Sequence, residues 1–123
     1  MKIMIVDDEH DVEILFRRSF RKEVRDGIIE LTFSFSGEDA LAHLQRLGAM
    51  DNMLMLSDIN MPGMNGLDLL KKVKAEYPHL KVCMITAYND ENNYRAAMEY
   101  GADDYYTKPV DFVKLKKEVL SLS

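Results

Sequence analysis

The chain opens with Met1-Lys2-Ile3-Met4-Ile5-Val6-Asp7-Asp8, in which four consecutive apolar residues are followed at once by two aspartates. A continuous apolar run of this length is typical of a parallel strand that is buried on both faces of a sheet. Two more runs of this kind occupy residues 53–56 and 82–85. The sequence therefore predicts three central strands.

Amphipathic segments separate the strands and predict helices near residues 9–24, 37–47, 66–76, 90–100 and 111–122. Ser36 and Asp39 predict a cap for the second helix, Asn65 is the expected N-cap of the third, and Gly101 is expected to end the fourth. One buried stripe is expected on the first helix, because apolar residues recur there at helical spacing: Val12, Leu15, Phe16, Phe20 and Val24. The last helix should bury Phe112, Leu115, Val119 and Leu122.

The two remaining strands have the character of sheet edges. Residues 29–35 alternate between apolar and polar, and the fifth strand, at Tyr105 and Tyr106, follows Asp103 and Asp104. Five alternations of strand and helix predict an α/β fold, a parallel sheet with helices on both faces. With strands two and five outermost, the expected order is 2-1-3-4-5, which is flavodoxin-like.

Length and composition limit the class of protein. A chain of 123 residues, of which 47% are hydrophobic, predicts a single domain spanning residues 1–123. The net charge of −5 argues against direct binding of nucleic acid. No apolar run is long enough to span a membrane, no signal-peptide pattern is present, and the lone Cys83 lies in an apolar run, so we expect a cytoplasmic protein with an inert buried thiol.

Polar residues follow the apolar runs at the carboxyl ends of the predicted strands, where ligands bind in sheets of this order. They are Asp7, Asp8, Asp58, Thr86 and Lys108. Taken singly, each has an ordinary structural explanation: Asp8 as a helix N-cap, or Asp58 as a turn former. Taken together, three aspartates at adjacent strand ends repel one another, and a hard divalent cation with oxygen ligands would offset that repulsion.

Four motifs in order give the chain a family resemblance: residues 6–9 (VDDE), 58–66 (DINMPGMNG), 85–87 (ITA) and 101–109 (GADDYYTKP). Together they resemble a two-component response-regulator receiver domain over the whole chain, similar to the chemotaxis receivers. The resemblance implies that Asp58 accepts a phosphoryl group from a phosphohistidine. It also implies that Asp7, Asp8, Asp58 and the Asn60 backbone carbonyl hold Mg²⁺, with Asp7 acting through water, and that Lys108 and Thr86 contact the phosphoryl oxygens.

The resemblance further implies a switch in which Thr86 turns toward the phosphoryl group and the Tyr105 ring fills the vacated space. The surface that responds would consist of the fourth predicted helix, the fifth strand and the fifth predicted helix, which would also serve any homodimer. Expected partners are a sensor histidine kinase or histidine phosphotransfer protein and a downstream output domain or effector. Such a protein catalyses only its own phosphorylation and slow dephosphorylation. No output motif follows the last helix, so the chain is either a stand-alone receiver or part of a longer regulator.

Two other classes of protein share parts of this pattern. A Mg²⁺-dependent phosphatase of the haloacid-dehalogenase type also uses an aspartate nucleophile, but it requires a second aspartate where this chain has Asn60. A flavodoxin-like electron carrier has the same sheet order, but Asp7 and Asp8 would repel a flavin phosphate. Ser57 and Tyr88 depart from the usual receiver pattern, and Asn60 and Tyr88 flank the line along which water would attack the acyl phosphate.

Overall fold

The computed structural model describes residues 1–48, 53–87 and 90–121. Its strands are β1 (Lys2–Val6), β2 (Glu30–Ser34), β3 (Met53–Asp58), β4 (Lys81–Thr86) and β5 (Asp104–Thr107). Its helices are α1 (Asp11–Ser19), α2 (Arg21–Arg25), α3 (Gly37–Leu47), α4 (Gly66–Glu76), α5 (Glu91–Glu99) and α6 (Phe112–Ser121). The fourth and fifth predicted helices are thus α5 and α6.

All strand pairs are parallel and the order is β2-β1-β3-β4-β5, which confirms the predicted fold. Successive side chains of a strand point to opposite faces, so the central strands supply two separate cores. On one face, Met4, Met55 and Met84 pack with α3 and α4. On the other face, Ile5, Leu56 and Ile85 pack with α1 and α6.

The predicted starts of α3 and α4 are confirmed together with their caps. The Ser36 side chain accepts a hydrogen bond from the Asp39 N–H at 3.0 Å, and the Asn65 side chain accepts one from the Asp68 N–H at 2.9 Å. Each cap satisfies a backbone donor that the first helical turn leaves without a partner. Gly101 follows α5 with φ +96°, as expected of a glycine that ends a helix.

The prediction of one continuous first helix was wrong. Phe20, with φ −104° and ψ 13°, separates α1 from α2. The carbonyl of Ser19 beside it accepts a hydrogen bond from Lys116 Nζ of α6 at 2.6 Å. This partner outside the helix satisfies the carbonyl where the helical geometry is interrupted.

Part of the predicted apolar stripe on this segment was also wrong. Phe16 and Phe20 are buried as expected, but Leu15 and Val24 are 46% and 41% exposed. Leu15 is the neighbour of Phe16 in sequence and therefore points about 100° away from it around the helix axis. Val24 lies beyond the break, in α2.

The last helix agrees with prediction as far as the structure describes it. Leu115 and Val119 are buried in the core shared with α1, and Phe112 packs against that core. Leu122 and Tyr88 lie outside the described residues. Within the described ranges, no helix has both the length and the apolar character needed to cross a membrane.

Candidate functional site

The polar residues predicted to converge do so at the carboxyl edge of the sheet. Asp7 and Asp8 follow β1, Asp58 ends β3, Thr86 ends β4 and Lys108 follows β5. The strand register keeps these ends level, since Asp58 pairs with Ile85 and Thr86 with Thr107. The backbone N–H of Lys108 also donates a hydrogen bond of 2.7 Å to the Thr86 carbonyl. Backbone pairing therefore sets the spacing of the site.

The three aspartates form a compact cluster of oxygen ligands. One carboxylate oxygen from each of Asp7, Asp8 and Asp58 lies within 4.8 Å of the others. Asp7 and Asp58 are each only 5% exposed, and Asp8 is half-buried. Asp8 is not the N-cap of α1, because His10 occupies that position without a side-chain hydrogen bond. A set of carboxylates without thiol or imidazole fits a hard cation such as Mg²⁺.

Lys108 supplies the positive charge of the cluster. Its ammonium lies 3.0 Å from Asp7 Oδ2 and 3.6 Å from Asp58 Oδ2. Burial by itself lowers the pKa of Lys108, but the hydrogen bond to Asp7 and the charges of Asp58, Asp7 and Glu9 outweigh burial and raise it. Lys108 is therefore a permanent cation between two buried carboxylates.

The surroundings of Asp58 disfavour the ionised form of its carboxyl group. Burial raises its pKa to about 6 from an ordinary value of 3.8, and the charge of Asp7 acts in the same direction. Lys108 and the nearby backbone N–H groups of Ile59 and Asn60 lower it, but they compensate only in part. A cation bound between the carboxylates would favour the ionised form.

Thr86 and Tyr105 lie between the aspartate cluster and helix α5. Thr86 is fully buried, and Tyr105 is half-buried with its ring edge-on to Tyr94 of α5, at a centroid distance of 5.2 Å. Burial and the charge of Asp90 raise the pKa of Tyr105, while the nearby Thr86 side chain lowers it. Among the described residues, the buried Tyr105 hydroxyl has no hydrogen-bond partner. Tyr106 packs on the opposite face of the sheet, because successive residues of a strand point to opposite faces.

Gly66 is a residue of the site that sequence reasoning recognised only as the start of a helix. A Cβ atom at this position would lie 2.0 Å from the backbone oxygen of Asp58 and 2.8 Å from Ile59 Cα. The Gly66 N–H also donates a hydrogen bond of 2.8 Å to the Ile59 carbonyl. The turn that follows Asp58 thus closes against the first residue of α4, and only glycine fits.

A largely apolar recess of about 330 Å³ opens beside the cluster, which the sequence analysis did not predict. Leu15 of α1 and Pro109 and Phe112 at the start of α6 line it, and Asp58 and Lys108 lie at its polar end. The only sequence signal was the apolar character of Leu15, which had been assigned to the core.

Comparisons with known proteins agree with this geometry. The response regulator receiver domain family model matches residues 3–120. The chemotaxis protein CheY-3 of Vibrio cholerae is 36% identical, over 97% of this chain and 88% of the relative. Sporulation initiation phosphotransferase F of Bacillus subtilis is 30% identical, over 96% and 90%. The DNA-binding transcriptional regulator NtrC of Escherichia coli is 35% identical over 89% of this chain, which spans only 22% of that relative's length.

Solved structures show the same architecture. A CheY-like receiver domain protein from Methanospirillum hungatei superposes with a TM-score of 0.86 at 28% identity, over 98% of this chain and 91% of that one. A receiver domain protein from Clostridium thermocellum gives 0.83 at 26%, over 98% and 91%. These matches lend no support to the phosphatase alternative. Sequence, fold and acidic cluster agree, and the chain belongs to the response regulator receiver domain family of two-component signalling.

Proposed function

We propose that this receiver accepts a phosphoryl group on Asp58 from a phosphohistidine of a sensor kinase or phosphotransfer protein. The observation that carries the proposal is the buried Asp58 carboxylate beside two further aspartates and the Lys108 ammonium at the carboxyl edge of the sheet. In the reaction, an oxygen of Asp58 forms a bond to phosphorus, the bond from phosphorus to the imidazole nitrogen breaks, and the imidazole leaves with the electron pair.

The acidic cluster would hold Mg²⁺ through Asp8 and Asp58, with Asp7 acting through water and with the Asn60 backbone carbonyl as a further ligand. When bound, Mg²⁺ neutralises charge that develops on the phosphoryl oxygens. Lys108 is held between Asp7 and Asp58 and is within reach of a group attached to Asp58. Thr86 would donate its hydroxyl to another phosphoryl oxygen.

The signal would pass through Thr86 and Tyr105. A Thr86 side chain that turns toward the phosphoryl group moves away from Tyr105 and leaves space for that ring. Tyr105 packs on Tyr94, so its movement would change the surface formed by α5, β5 and α6. We propose that this surface contacts an output domain, an effector or a second copy of the receiver.

The chain would act as a single receiver domain over residues 1–123, whose only catalysis is its own phosphorylation and slow dephosphorylation. Mass spectrometry of the intact protein after incubation with Mg²⁺ and acetyl phosphate tests this. We expect the mass to rise by one phosphoryl group, and we expect neither EDTA-treated protein nor Asp58→Asn to show the rise. Asp11→Asn, an exposed carboxylate in the first turn of α1, is the matched control and should be phosphorylated.

An unmodified wild-type mass under these conditions would contradict the proposal. Multiple turnover of p-nitrophenyl phosphate, lost in Asp58→Asn, would instead restore the phosphatase alternative.

A further inference from the structure

The segment from Arg17 to Arg25 has a charge opposite to that of the chain as a whole. It contains five cations and a single carboxylate, in a protein whose net charge is −5. All five cationic residues are exposed: Arg17, Arg18, Arg21, Lys22 and Arg25. The carboxylate, Glu23, turns inward to Lys116 of α6. The outer side of α1 and α2 is therefore a basic surface that the phosphoryl-transfer site does not use.

Three of these arginines form a row beside the edge strand β2. Arg17, Arg21 and Arg25 line a groove of about 220 Å³ whose apolar side is formed by Val24 and Leu31. We call this set the arginine groove: Arg17, Arg21, Val24, Arg25 and Leu31. Helical hydrogen bonds persist on both sides of the break, from Phe20 N–H to the Phe16 carbonyl and from Val24 N–H to the Phe20 carbonyl. The arginines therefore follow one another about 6 Å apart along the helix path.

The arginines are only weakly held by partners within the protein. Arg17 pairs with Glu13 at 2.8 Å and Arg25 with Asp26 at 3.4 Å, and both arginine side chains are more than half exposed. In the part of the chain that the structure describes, Arg21 has no ion pair. Exposed pairs of this kind contribute little and exchange readily for a better acceptor.

The other side of the groove is a sheet edge. Among the described residues, β2 pairs only with β1. The Glu30 N–H donates to the Met1 carbonyl, and the Asp7 N–H donates to the Ser34 carbonyl. Alternate residues of a strand direct their backbone groups to the same side, so Leu31 and Phe33 direct theirs outward. A strand that pairs with these groups would have one face toward α1 and α2.

We propose that the arginine groove binds an acidic, extended segment of a partner protein, which adds to the sheet at β2. Carboxylates at alternate positions of an extended chain lie about 6.6–6.8 Å apart and match the spacing of the arginine row. Main-chain pairing supplies affinity in this mode, and the alternate side chains supply specificity. The cationic groove and the anionic segment are complementary in charge.

The arrangement favours such a segment over a membrane or a nucleic acid. A helix that lies on a membrane directs apolar residues outward, whereas five of the six exposed residues between Arg17 and Arg25 are cationic. The sixth, Val24, lines the groove together with Leu31. Bound single strands stack bases on aromatic rings, but the nearby Phe33 ring is covered by the Arg17 guanidinium, 4.8 Å from its centroid.

A fluorescent peptide of alternating glutamate and valine tests the proposal by titration against the full chain, with anisotropy as the readout. Arg21→Gln and Arg25→Gln should each weaken binding about two- to five-fold, and together about tenfold. Arg46→Gln, an exposed arginine on α3, is the matched control and should bind as the wild type does. Hydrogen exchange at the Leu31 and Phe33 amides should slow when the peptide binds.

Four results would overturn the proposal: no binding, equal binding of a peptide with the glutamates and valines in separate blocks, an equal loss in Arg46→Gln, or unchanged exchange at Leu31 and Phe33. Tighter arginine-dependent binding of a DNA duplex or of phosphatidylserine vesicles would assign the groove to that class instead. Asp58→Asn should bind the peptide as the wild type does, so failure here and failure of the phosphorylation assay are separate results.

Discussion

The acidic rim and the arginine groove both concentrate charge, but they are built differently. The acidic rim is the set of site residues at the carboxyl edge of the sheet: Asp7, Asp8, Asp58, Thr86 and Lys108. The rim draws residues from four separate strand ends and buries Asp7 and Asp58 to 5% exposure. The groove comes from one continuous segment, and its arginines extend into solvent. Buried like charges interact strongly and must be compensated, whereas exposed ones are screened.

This difference has a consequence for stability. Substitutions in the rim should change the free energy of unfolding, because its backbone is tightly packed and its charges are poorly solvated. Substitutions in the groove should leave that free energy nearly unchanged, within about 0.5 kcal/mol, and should affect binding alone.

Gly66→Ala should give the largest effect and is the strongest test of how rigid the rim is. The added Cβ would lie 2.0 Å from the Asp58 carbonyl oxygen, a backbone atom that cannot move without displacing the site. We expect a loss of about 3 kcal/mol, measured by urea unfolding.

Gly37→Ala is the matched control, since Gly37 is likewise the first residue of a helix. There the added atom meets the flexible Met64 side chain at 3.1 Å, and stability should change by about 1 kcal/mol or less. Equal losses in the two variants would mean that the turn after Asp58 has no special rigidity.

Part of the acidic rim could be predicted from the sequence. Apolar continuity distinguishes central from edge strands, so the sheet order and the meeting of Asp7, Asp58 and Lys108 at one edge were predictable. The contact of Gly66 with Asp58 was not, because it depends on how a turn closes in space. The cap motifs predicted the starts of α3 and α4, since each is a local interaction.

The break at Phe20 was not predictable, and the exposure of Val24 follows from it. The partner of the Ser19 carbonyl is Lys116, 97 residues further along the chain. Local periodicity carries no information on such a contact, and it therefore favoured one long helix. The arginine groove was missed for the same reason, because Val24 had been assigned to the buried stripe.

Asp58→Asn should stabilise the metal-free protein at pH 7.5 by on the order of 2 kcal/mol. It removes a carboxylate charge that burial and the charge of Asp7 disfavour, the same causes that raise the pKa of Asp58 to about 6. The folded state holds this proton more tightly than the unfolded state, whose ordinary value is 3.8. The destabilisation is therefore full above pH 6 and disappears as the pH falls toward 3.8.

Urea unfolding in EDTA at several pH values measures the advantage of Asp58→Asn over the wild type. Arg21→Gln in the groove should show no advantage at any pH. A constant gain for Asp58→Asn across the pH range would mean that its cause is not the ionised carboxylate.

Lys108→Met should destabilise the protein, in contrast to Asp58→Asn. We expect the free energy of unfolding of the metal-free protein to fall by about 1–2 kcal/mol. Methionine retains the length of the side chain but leaves Asp7 and Asp58 without the ammonium that lies 3.0 and 3.6 Å from them. The loss should become smaller when Asp58→Asn is already present, which a double-mutant cycle measures. Additive effects would show that Lys108 and Asp58 do not interact.

Lys116→Met tests the contact that joins the segment of the arginine groove to α6, and its effect should be the smallest, about 1 kcal/mol. Lys116 donates to the Ser19 carbonyl and pairs with Glu23 at 3.2 Å, whereas its neighbour Lys117 is exposed, so Lys117→Met is the control. Burial raises the pKa of Glu23, but backbone hydrogen bonding and Lys116 outweigh burial, and the pKa is lowered overall. The ion pair of Glu23 with Lys116 therefore stabilises the fold above pH 4.5, and this stabilisation is lost as the pH falls. Urea unfolding of both variants at neutral and acid pH should therefore show a loss in Lys116→Met that shrinks as the pH falls. A loss of equal size in Lys117→Met would show that the contact with Ser19 and Glu23 does not stabilise the break.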